Sequence, residues 1–312
     1  MNNKEKSFVS SVIYVHNAEQ HIGGFLESII KIMEQNFECS EIICVNDCSE
    51  DKSVEIIKDI STKTLNVSIS VVNMSRFHGL ELAMNAGVDL AIGDYIFEFD
   101  SSVLDFDLDI VMKVYHHAQE GFDIVSASPD IIPKLSSRLF YKMFDSFSDT
   151  SYKMTTERFR VLSRRVINRI NSMNKTIPYR KAAYANNGLK TGNIKFAPTE
   201  IYKTYDKKEQ KYRAGLAVDT LILFTEVGYS FSKGMTFLMM FVSIFMIAYS
   251  IIVFLLAHPV EGWTTTILFL AVAFFGLFGI LTIIIKYLQL IVNLVFKTKQ
   301  YSFESIEKLT NN

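Results

Sequence analysis

Apolar and polar positions alternate with two different periods along the first part of the chain. Short runs rich in Val and Ile occur at SFVSSVIYVHN, SEIICVND, NVSISVVN, DYIFEFD and FDIVSAS, and their length and β-branched content are typical of buried strands. Between these runs, apolar residues recur with helical spacing up to about Glu34, in DKSVEIIKDI, in LELAMNAGVDLAI and after Asp107. This alternation predicts an α/β fold of Rossmann-like type, with a mostly parallel sheet and helices on both faces.

A second pattern begins at Met235. Residues 235–257 contain no charged side chain, and another apolar stretch covers residues 263–285. About 20 apolar residues are enough for a helix to cross the roughly 30 Å hydrocarbon core of a bilayer, so the pattern predicts an all-α hairpin of two transmembrane helices. Lysines flank the outer ends of both stretches, at Lys233, Lys286, Lys297 and Lys299. Both ends are therefore expected on the cytoplasmic side of a bacterial membrane.

These patterns divide the chain into four parts. Residues 1–206 are expected to form a cytoplasmic α/β domain, because MNNKEK leads directly into a strand and no secretory signal opens the sequence. Residues 207–233 mix apolar stretches with charges, which predicts an amphipathic helix on the membrane surface or a helix buried against the domain. Residues 234–286 hold the hairpin, and residues 287–312 are expected to be a cytoplasmic tail.

Composition narrows the classes of function. The formal net charge is −1 and no basic block with interleaved aromatic residues occurs, so a nucleic-acid partner is not expected. The three cysteines lack the paired spacing of a zinc site. The sequence has no GxGxxG after its first strand and no GxxxxGK followed by Ser or Thr, which argues against a dinucleotide cofactor and against a P-loop.

Polar residues follow four of the predicted strands at the point where each strand ends. They are His16, Asn17 and Glu19 after the first strand, Asn46 and Asp47 after the second, Ser75 and Arg76 after the third, and Asp100, Ser101 and Ser102 after the fourth. Since ligands of open α/β sheets bind beyond the carboxyl ends of the strands, these residues are expected to line one crevice. Taken singly, an acid such as Asp47 more often caps a helix or a turn.

Three stretches with fixed spacing carry a family resemblance. SVIYVHNAEQHI resembles the opening SVVIPVYNEEENI of the family 2 glycosyltransferases with a GT-A fold, and EIICVNDCSEDKS resembles their EIIxVDDGSxDxS. SRFHGLELAMNAGVDLAIGDYIFEFD is similar to their RNxGxxxAxNxGxxxAxGDYxxxxD. With the apolar hairpin added, the chain resembles the subgroup of polyprenyl-phosphate sugar synthases that includes bactoprenol glucosyltransferase and dolichyl-phosphate mannose synthase.

The resemblance implies a donor site for a nucleotide sugar. The residues that occupy its motif positions are Tyr14, Asn17, Glu19, Asn46, Asp47, Arg76, Gly79 and Asn85. Tyr14 stands at the family's proline position, and Asn46 replaces the first acid. The family's metal motif DADLQD keeps only its first and last acids here, with Ser102 in place of the middle one. Mg²⁺ or Mn²⁺ bound by Asp100 and Ser102 is the implied cofactor, at a degenerate site.

The resemblance also implies the residues of the transfer step. Residues 157–165 are similar to the family's GDFRLMSRR, with an arginine in place of a candidate catalytic acid and Glu157 beside it. Asp100 and Glu157 are the implied catalytic residues. Because SSRLFYKMF resembles the family's acceptor-side segment, Arg138, Lys142 and Arg160 are the implied contacts of the acceptor phosphate. The histidines at the strand ends are given no catalytic role.

The implied activity is the inverting transfer of a hexose from a UDP- or GDP-sugar to undecaprenyl phosphate, in the synthesis or modification of cell-surface glycans. The expected partners are the donor, the lipid acceptor and the membrane, and the resembled enzymes suggest a homo-oligomer. Two alternatives stay open. A catalytically impaired pseudo-glycosyltransferase would act as a membrane scaffold or binding protein, and a different enzyme would extend a glycan already carried by a lipid or protein.

Overall fold

The computed structural model describes residues 4–64, 66–131, 156–172, 180–185, 188–199 and 301–310, together with isolated helical positions between 137 and 144 and between 215 and 291. The elements in these residues are β1 (Val9–Val15), α1 (Ile22–Asn36), β2 (Ser40–Asn46), α2 (Ser53–Thr62), β3 (Ser68–Met74), α3 (Leu80–Leu90), β4 (Tyr95–Phe99), α4 (Asp109–Gln119), β5 (Ile124–Pro129), β6 (Phe159–Ser163), α5 (Arg164–Ser172), α6 (Arg180–Ala185), β7 (Thr191–Phe196) and β8 (Phe303–Lys308). The predicted alternation of strands and helices is confirmed from β1 to β5.

The strands form one sheet in the order β7-β5-β6-β4-β1-β2-β3-β8. The four central strands β4, β1, β2 and β3 run parallel, and β7 is parallel to β5. β6 lies antiparallel between β4 and β5. The predicted α/β fold with a mostly parallel sheet is therefore confirmed, and the carboxyl ends of β1 to β4 meet at one edge of the sheet.

Helices cover both faces of the sheet because successive side chains of a strand point to opposite faces. On one face, Val9 and Ile13 of β1 pack in a buried cluster with residues of α1, α2 and α4. On the other face, Val12 packs with residues of α3, α5 and α6. α3 approaches the sheet closely at Gly87, where a Cβ atom would lie 2.4 Å from Val12 Cγ1 and 2.5 Å from Val45 Cγ2. Glycine at this position therefore allows α3 to pack directly on β1 and β2.

One edge strand of the sheet comes from the far end of the sequence. β8 pairs antiparallel with β3, with Ile306 opposite Val72, and the Ile69 amide donates to Thr310 Oγ1 at 2.8 Å. The sequence pattern predicts only a tail at residues 287–312, and this strand is an addition to it. β8 covers the hydrogen-bonding groups of β3, which would otherwise form an open sheet edge.

The structure describes only scattered residues of the predicted hairpin. Residues 235–257 and 263–285 lie for the most part outside the described chain, as does most of the segment 207–233. Among the helices that are described, none combines the length and the apolar character needed to span a bilayer.

Candidate active site

The turns after β1 and β2 are tied together by hydrogen bonds. The Asn17 amide donates to Ser49 Oγ at 3.1 Å, and Asn17 Oδ1 accepts from the Glu50 amide at 2.9 Å. Asn17 has a φ of 47°, a left-handed conformation that asparagine tolerates. Glu19 adds a further link, because its Oε2 accepts from the Lys52 amide at 3.2 Å. Asn17 and Glu19, both implied donor-site residues, therefore connect two strand ends in this structure.

Asp47 directly follows β2, and its carboxylate is fully buried. Its Oδ1 accepts a hydrogen bond from the His78 amide at 2.8 Å, and its Oδ2 accepts from the Gly79 amide at 2.8 Å and from the Tyr14 hydroxyl at 3.1 Å. Gly79 has a φ of 81°, which glycine adopts without steric cost. We call this arrangement of Tyr14, Asp47, His78 and Gly79 the Asp47 cage. It fixes the start of α3 at the carboxyl ends of the parallel strands through charge-assisted hydrogen bonds.

The other implied donor-site residues lie around the Asp47 cage. Asn46 is buried and donates through Nδ2 to Asn73 Oδ1 at 2.9 Å. Asn85 is half-buried on α3, and Arg76 is exposed on the loop after β3. The structure thus gathers most of these residues at one end of the sheet and leaves the Arg76 side chain accessible to a ligand.

A second buried acid, Asp100, follows β4 on the other side of β1. Its Oδ2 lies 2.7 Å from Arg160 Nη2, and its Oδ1 lies 2.9 Å from Arg180 Nη2. The two arginine side chains are only 1% and 2% exposed. Lys181 Nζ adds a third cation at 3.8 Å from Asp100 Oδ2. Both oxygens of Asp100 are therefore engaged by guanidinium groups.

Three glutamates complete this group of charges. Glu98 of β4 bridges the arginines, with Oε2 2.9 Å from Arg160 Nη1 and Oε1 2.9 Å from Arg180 Nη1. Glu157 Oε2 lies 3.0 Å from Arg160 Nε, and Glu81 Oε2 lies 3.0 Å from Arg180 Nε. We refer to Glu81, Glu98, Asp100, Glu157, Arg160 and Arg180 as the ion-pair cluster. It joins α3, β4, β6 and α6 in the interior.

Burial and ion pairing act in opposite directions on the protonation of this cluster. Burial raises the pKa of Asp100, but the guanidinium groups of Arg160 and Arg180 outweigh it and hold that pKa well below the ordinary range. Burial lowers the pKa of both arginines, and the surrounding carboxylates outweigh it, so that each pKa lies well above its ordinary value. Tyr184 donates its hydroxyl to Glu98 at 2.8 Å, and burial together with that carboxylate raises the Tyr184 pKa. Asp100 and both arginines are therefore ionised at neutral pH.

The residues around Asp100 do not fit a divalent cation. In the part of the chain that the structure describes, no three His, Cys, Asp or Glu side chains are grouped as ligands of one ion. Both Asp100 oxygens already pair with guanidinium groups, so a divalent ion at Asp100 would have to displace an arginine or lie close to its positive charge. Ser102 is buried and offers a hydroxyl, a weaker ligand than a carboxylate for a hard cation. The implied ligand pair therefore lacks the charge and the surroundings that such an ion needs.

Asp105 and Arg158 form a pair of their own. Asp105 is the last acid of the degenerate metal motif, and Arg158 stands where the family has its candidate catalytic acid. Asp105 Oδ2 lies 2.6 Å from Arg158 Nε, and the carboxylate is buried. Burial raises the pKa of Asp105, while Arg158 acts to lower it. The arginine substitution thus gives this buried acid a counter-charge.

The implied residues of the transfer step lie in two kinds of environment. Glu157 and Arg160 belong to the ion-pair cluster and are buried, so a direct contact of either residue with substrate stays a prediction. The guanidinium of Arg160 faces protein carboxylates in this structure. Arg138 and Lys142 are exposed at isolated helical positions, where their charges are accessible to an anionic group.

The sequence analysis predicts no functional role for four residues in or beside the ion-pair cluster. They are Glu81, Glu98, Arg180 and Tyr184. Glu98 has a signal, because it is a charged residue inside the apolar strand YIFEF, and a buried charge requires a partner. Arg180 and Tyr184 come from α6, a helix of six residues with the sequence RKAAYA. Nothing in so short a pattern indicates contact with Asp100.

In open α/β sheets whose parallel strands end in polar turns, ligands bind at that edge of the sheet. The GT-A glycosyltransferases have this architecture. The chain belongs to glycosyltransferase family 2, since residues 10–178 match the family described as Glycosyl transferase family 2. The resemblance seen in the sequence is thereby confirmed for the family and for the fold.

Three relatives illustrate the family match. The uncharacterized glycosyltransferase YkcC of Bacillus subtilis (strain 168) is 23% identical over 83% of this chain and 81% of its own length. An uncharacterized glycosyltransferase of Synechocystis is 27% identical over 57% of this chain and 57% of its own length. A prophage bactoprenol glucosyl transferase homolog of Escherichia coli (strain K12) is 25% identical over 62% of this chain and 64% of its own length. The chain thus spans less than two thirds of two of these relatives.

Two solved structures of other proteins are similar to this chain in fold. Glucosyl-3-phosphoglycerate synthase of Mycobacterium tuberculosis, solved with Mn²⁺, UDP-glucose and glycerol 3-phosphate, superposes with a TM-score of 0.50 at 13% identity, over 71% of this chain and 81% of that chain. Mannosyl-3-phosphoglycerate synthase of Rubrobacter xylanophilus gives a TM-score of 0.50 at 16% identity, over 69% of this chain and 74% of that chain. At these identities the likeness concerns the fold alone.

Proposed function

We propose that this protein is a membrane-attached glycosyltransferase that moves a hexose from a UDP- or GDP-sugar to a polyprenyl phosphate, undecaprenyl phosphate in a bacterium, with inversion at the anomeric carbon. The observation that carries the proposal is the Asp47 cage, in which a buried acid fixes the start of α3 at the carboxyl end of the parallel strands. The family resemblance assigns this edge to the nucleotide of the donor. Arg76, exposed on the adjoining loop, is the residue that we expect to pair with the donor diphosphate.

A polyprenyl phosphate makes a strong catalytic base unnecessary. A phosphate monoester is already ionised at neutral pH, so its oxygen can attack without first losing a proton. A bond forms between that oxygen and the anomeric carbon while the bond from this carbon to the nucleoside diphosphate breaks, and the diphosphate leaves with the electron pair. Attack from the side opposite to the leaving group inverts the anomeric configuration. The name of the E. coli relative, a bactoprenol glucosyl transferase homolog, supports a lipid acceptor.

Membrane attachment is supported by the apolar stretches of the sequence and by side chains at isolated described positions. Phe241 and Phe245 are helical residues with 69% and 61% of their surface exposed, an arrangement that lipid favours over water. A Cβ atom added to Gly276 would lie 2.5 Å from Met239 Cε, and close approach at glycine is typical of paired transmembrane helices. The lysine flanks favour both ends in the bacterial cytoplasm, and a homo-oligomer stays a prediction.

No step of the proposed reaction is assigned to a divalent cation. Mg²⁺ or Mn²⁺ stays a prediction of the family resemblance, and the two guanidinium groups on Asp100 argue against it. Glu157 is treated as a positioning residue, since its Oε2 pairs with Arg160. The ion-pair cluster then serves to hold β4, β6 and α6 together beside the crevice.

The test is a transfer assay with the full-length protein in detergent. Radiolabelled UDP-glucose, UDP-N-acetylglucosamine and GDP-mannose are each incubated with undecaprenyl phosphate, and the label in the lipid extract is counted. We expect one donor to label the lipid, and Asp47→Asn to reduce that labelling. Asp59→Asn, on the exposed surface, is the matched control and should transfer normally. No labelled lipid with any of the donors would contradict the transferase proposal.

A catalytically impaired relative that acts as a membrane scaffold or binding protein is the second candidate. It is favoured by the pairing of both Asp100 oxygens with arginine and by Ser102 at the position of a family acid. This candidate predicts nucleotide binding without turnover. Calorimetric binding of UDP or GDP, combined with no product in the transfer assay, would favour it over the enzyme.

A further inference from the structure

We infer that β8, the strand from the far end of the chain, positions the donor site at the Asp47 cage. This role rests on the proposed function for the identity of the ligand, a nucleoside diphosphate. Two hydrogen-bonded routes support it, and they lead from the adjacent residues Asn46 and Asp47 to β8 and to the residue that precedes it. Asn73 lies on one route and His78 on the other.

The first route runs from Asp47 through His78 to Ser302. The His78 amide donates to Asp47 Oδ1 at 2.8 Å, and His78 Nε2 accepts a hydrogen bond from the Ser302 amide at 3.2 Å. Nδ1 of the same ring lies 2.5 Å from the Arg76 carbonyl oxygen, so the hydrogen bonds assign the ring proton to Nδ1. The His78 side chain is almost fully buried. It therefore holds the loop before α3 against the backbone that leads into β8.

The second route runs from Asn46 through Asn73 into β8. Asn46 Nδ2 donates to Asn73 Oδ1 at 2.9 Å. Asn73 Nδ2 donates in turn to Ser305 Oγ at 3.0 Å and to Glu307 Oε1 at 3.1 Å. At the other end, Asn46 Oδ1 accepts from the Ser49 amide at 3.0 Å, in the turn after β2. A chain of side-chain amides, partly buried, thus connects β8 with that turn, and a network whose members are paired restricts their motion.

Further contacts fasten the loop of residues 75–79 to the same segment. The Ser75 amide donates to the Ser302 carbonyl oxygen at 3.1 Å, and the two hydroxyl oxygens are 2.6 Å apart. The Tyr301 hydroxyl donates to Asp89 of α3. The loop is therefore fixed on one side by Asp47 and on the other by Ser302, while Tyr301 holds α3 to the same segment. A loop held in this way presents a preformed surface to its ligand, which reduces the entropy lost on binding.

Covering the open edge of β3 is a separate role of β8, and it can be tested separately. At the end of β8 farther from the Asp47 cage, the Ile69 amide donates to Thr310 Oγ1 at 2.8 Å. A change at Thr310 weakens the cover without touching either route. Removing the Ser302 N–H group or the Asn73 side chain breaks the routes themselves.

The experiment compares nucleotide affinity and thermal stability in full-length variants in detergent, with UDP and GDP as the probes. Ser302→Pro removes the N–H group that donates to His78 Nε2. Ser302→Ala keeps that N–H and removes only the hydroxyl group beside Ser75, so it separates the backbone contact from the side-chain contact. Asn73→Ala breaks the second route, and Thr310→Val is its control at the far end of β8. We expect Ser302→Pro and Asn73→Ala each to raise the nucleotide Kd about tenfold and Ser302→Ala to raise it by a smaller factor, while Thr310→Val changes it less than about twofold.

The possible results distinguish this role from the proposed function. Equal Kd values in all four variants, with wild-type protein that binds nucleotide, would overturn the positioning role of β8 and leave the donor site in place. A wild-type protein that binds neither UDP nor GDP would overturn the proposed function and the role of β8 with it. If Ser302→Pro fails to fold, the comparison of Asn73→Ala with Thr310→Val decides the question alone.

Discussion

Asp47 and Asp100 follow β2 and β4, with β1 between them, and their buried carboxylates are stabilised in opposite ways. Asp47 accepts hydrogen bonds from two backbone amides and a tyrosine hydroxyl, all of them neutral donors. Asp100 is paired with two guanidinium groups. The first acid fixes a backbone conformation at the carboxyl ends of the parallel strands, whereas the second balances charges that several elements bring into the interior.

This difference shows that a match to a motif position does not by itself assign a chemical role. Both acids match the spacing of family 2 glycosyltransferases, but only Asp47 accepts hydrogen bonds from the backbone of the loop before α3. In the ion-pair cluster each charge depends on the others, so that removal of one member leaves an uncompensated charge in the interior. Substitutions should therefore affect the two regions to different extents.

The largest effect is expected when the ion-pair cluster loses a cation. Arg160→Met leaves three carboxylates in the interior with less counter-charge, and breaking a buried pair in this way costs about 3–5 kcal/mol. Urea unfolding followed by circular dichroism measures the loss. Arg165→Met is the control, because its guanidinium is exposed, and it should cost less than about 1 kcal/mol. Equal losses in the two variants would show that the cluster does not stabilise the fold.

A smaller loss of stability is expected from the Asp47 cage. In Asp47→Asn one acceptor oxygen becomes an NH₂ group that faces the amide of His78 or Gly79, and losing a hydrogen bond to a charged group costs about 2 kcal/mol. Because the loop is then less well fixed, affinity for UDP or GDP should fall together with stability, as titration calorimetry would measure. Asp59→Asn should change neither quantity. Full affinity in a destabilised Asp47→Asn protein would separate the cage from the donor site.

Lowering the pH should destabilise the fold through the ion pairs of Asp100. The pKa of Asp100 is depressed in the folded protein, so its ion pairs contribute fully above the ordinary aspartate pKa of about 3.9 and lose that contribution as the pH falls toward the folded-state pKa. Between about pH 5 and about pH 3, the wild type should therefore lose about 1 kcal/mol more stability than Asp100→Asn. Urea midpoints at the two pH values measure this difference. Parallel losses in the two proteins would contradict the depressed pKa.

The smallest effect is expected from removing divalent cations. Since the guanidinium groups already neutralise Asp100, the nucleotide Kd in excess EDTA should lie within about twofold of its value in Mn²⁺. Titration calorimetry under the two conditions provides the comparison. Nucleotide binding that requires Mn²⁺ would contradict this expectation and would restore Asp100 as a candidate ligand of the cation.

The alternating strands and helices from β1 to β5 could be predicted from the sequence. Strands β1 to β5 bury apolar runs, and the helices between them carry apolar residues at helical spacing, so each element has its own signal. β8 has none of this kind. Its sequence FESIEK alternates with charges, and Ile69 and Thr310, which join it to β3, are 241 positions apart. A pairing over that distance leaves no local pattern.

The candidate site was predictable to a similar extent. The place of Asp47 after a strand is visible in the sequence, but its partners at His78 and Gly79 are backbone amides, which nearly every residue type supplies. The charge of Glu98 in an apolar strand indicates burial with a partner. The identity of that partner is fixed by tertiary packing, because β6 and α6 supply the arginines.

The pairing of β3 with β8 determines how the segment between residues 199 and 301 is connected to the domain. Because β7 and β8 belong to one sheet, this segment connects two strands of the same domain, so it is an insertion in the domain sequence rather than an extension from its end. Truncation before the apolar stretches would remove an edge strand and leave β3 open to intermolecular pairing and aggregation. A water-soluble form should instead be made by excision. Because β7 and β8 lie at opposite edges of the sheet, about 34 Å apart at about 4.8 Å per strand, the flexible linker that joins residue 199 to residue 301 must be long enough to cross the sheet.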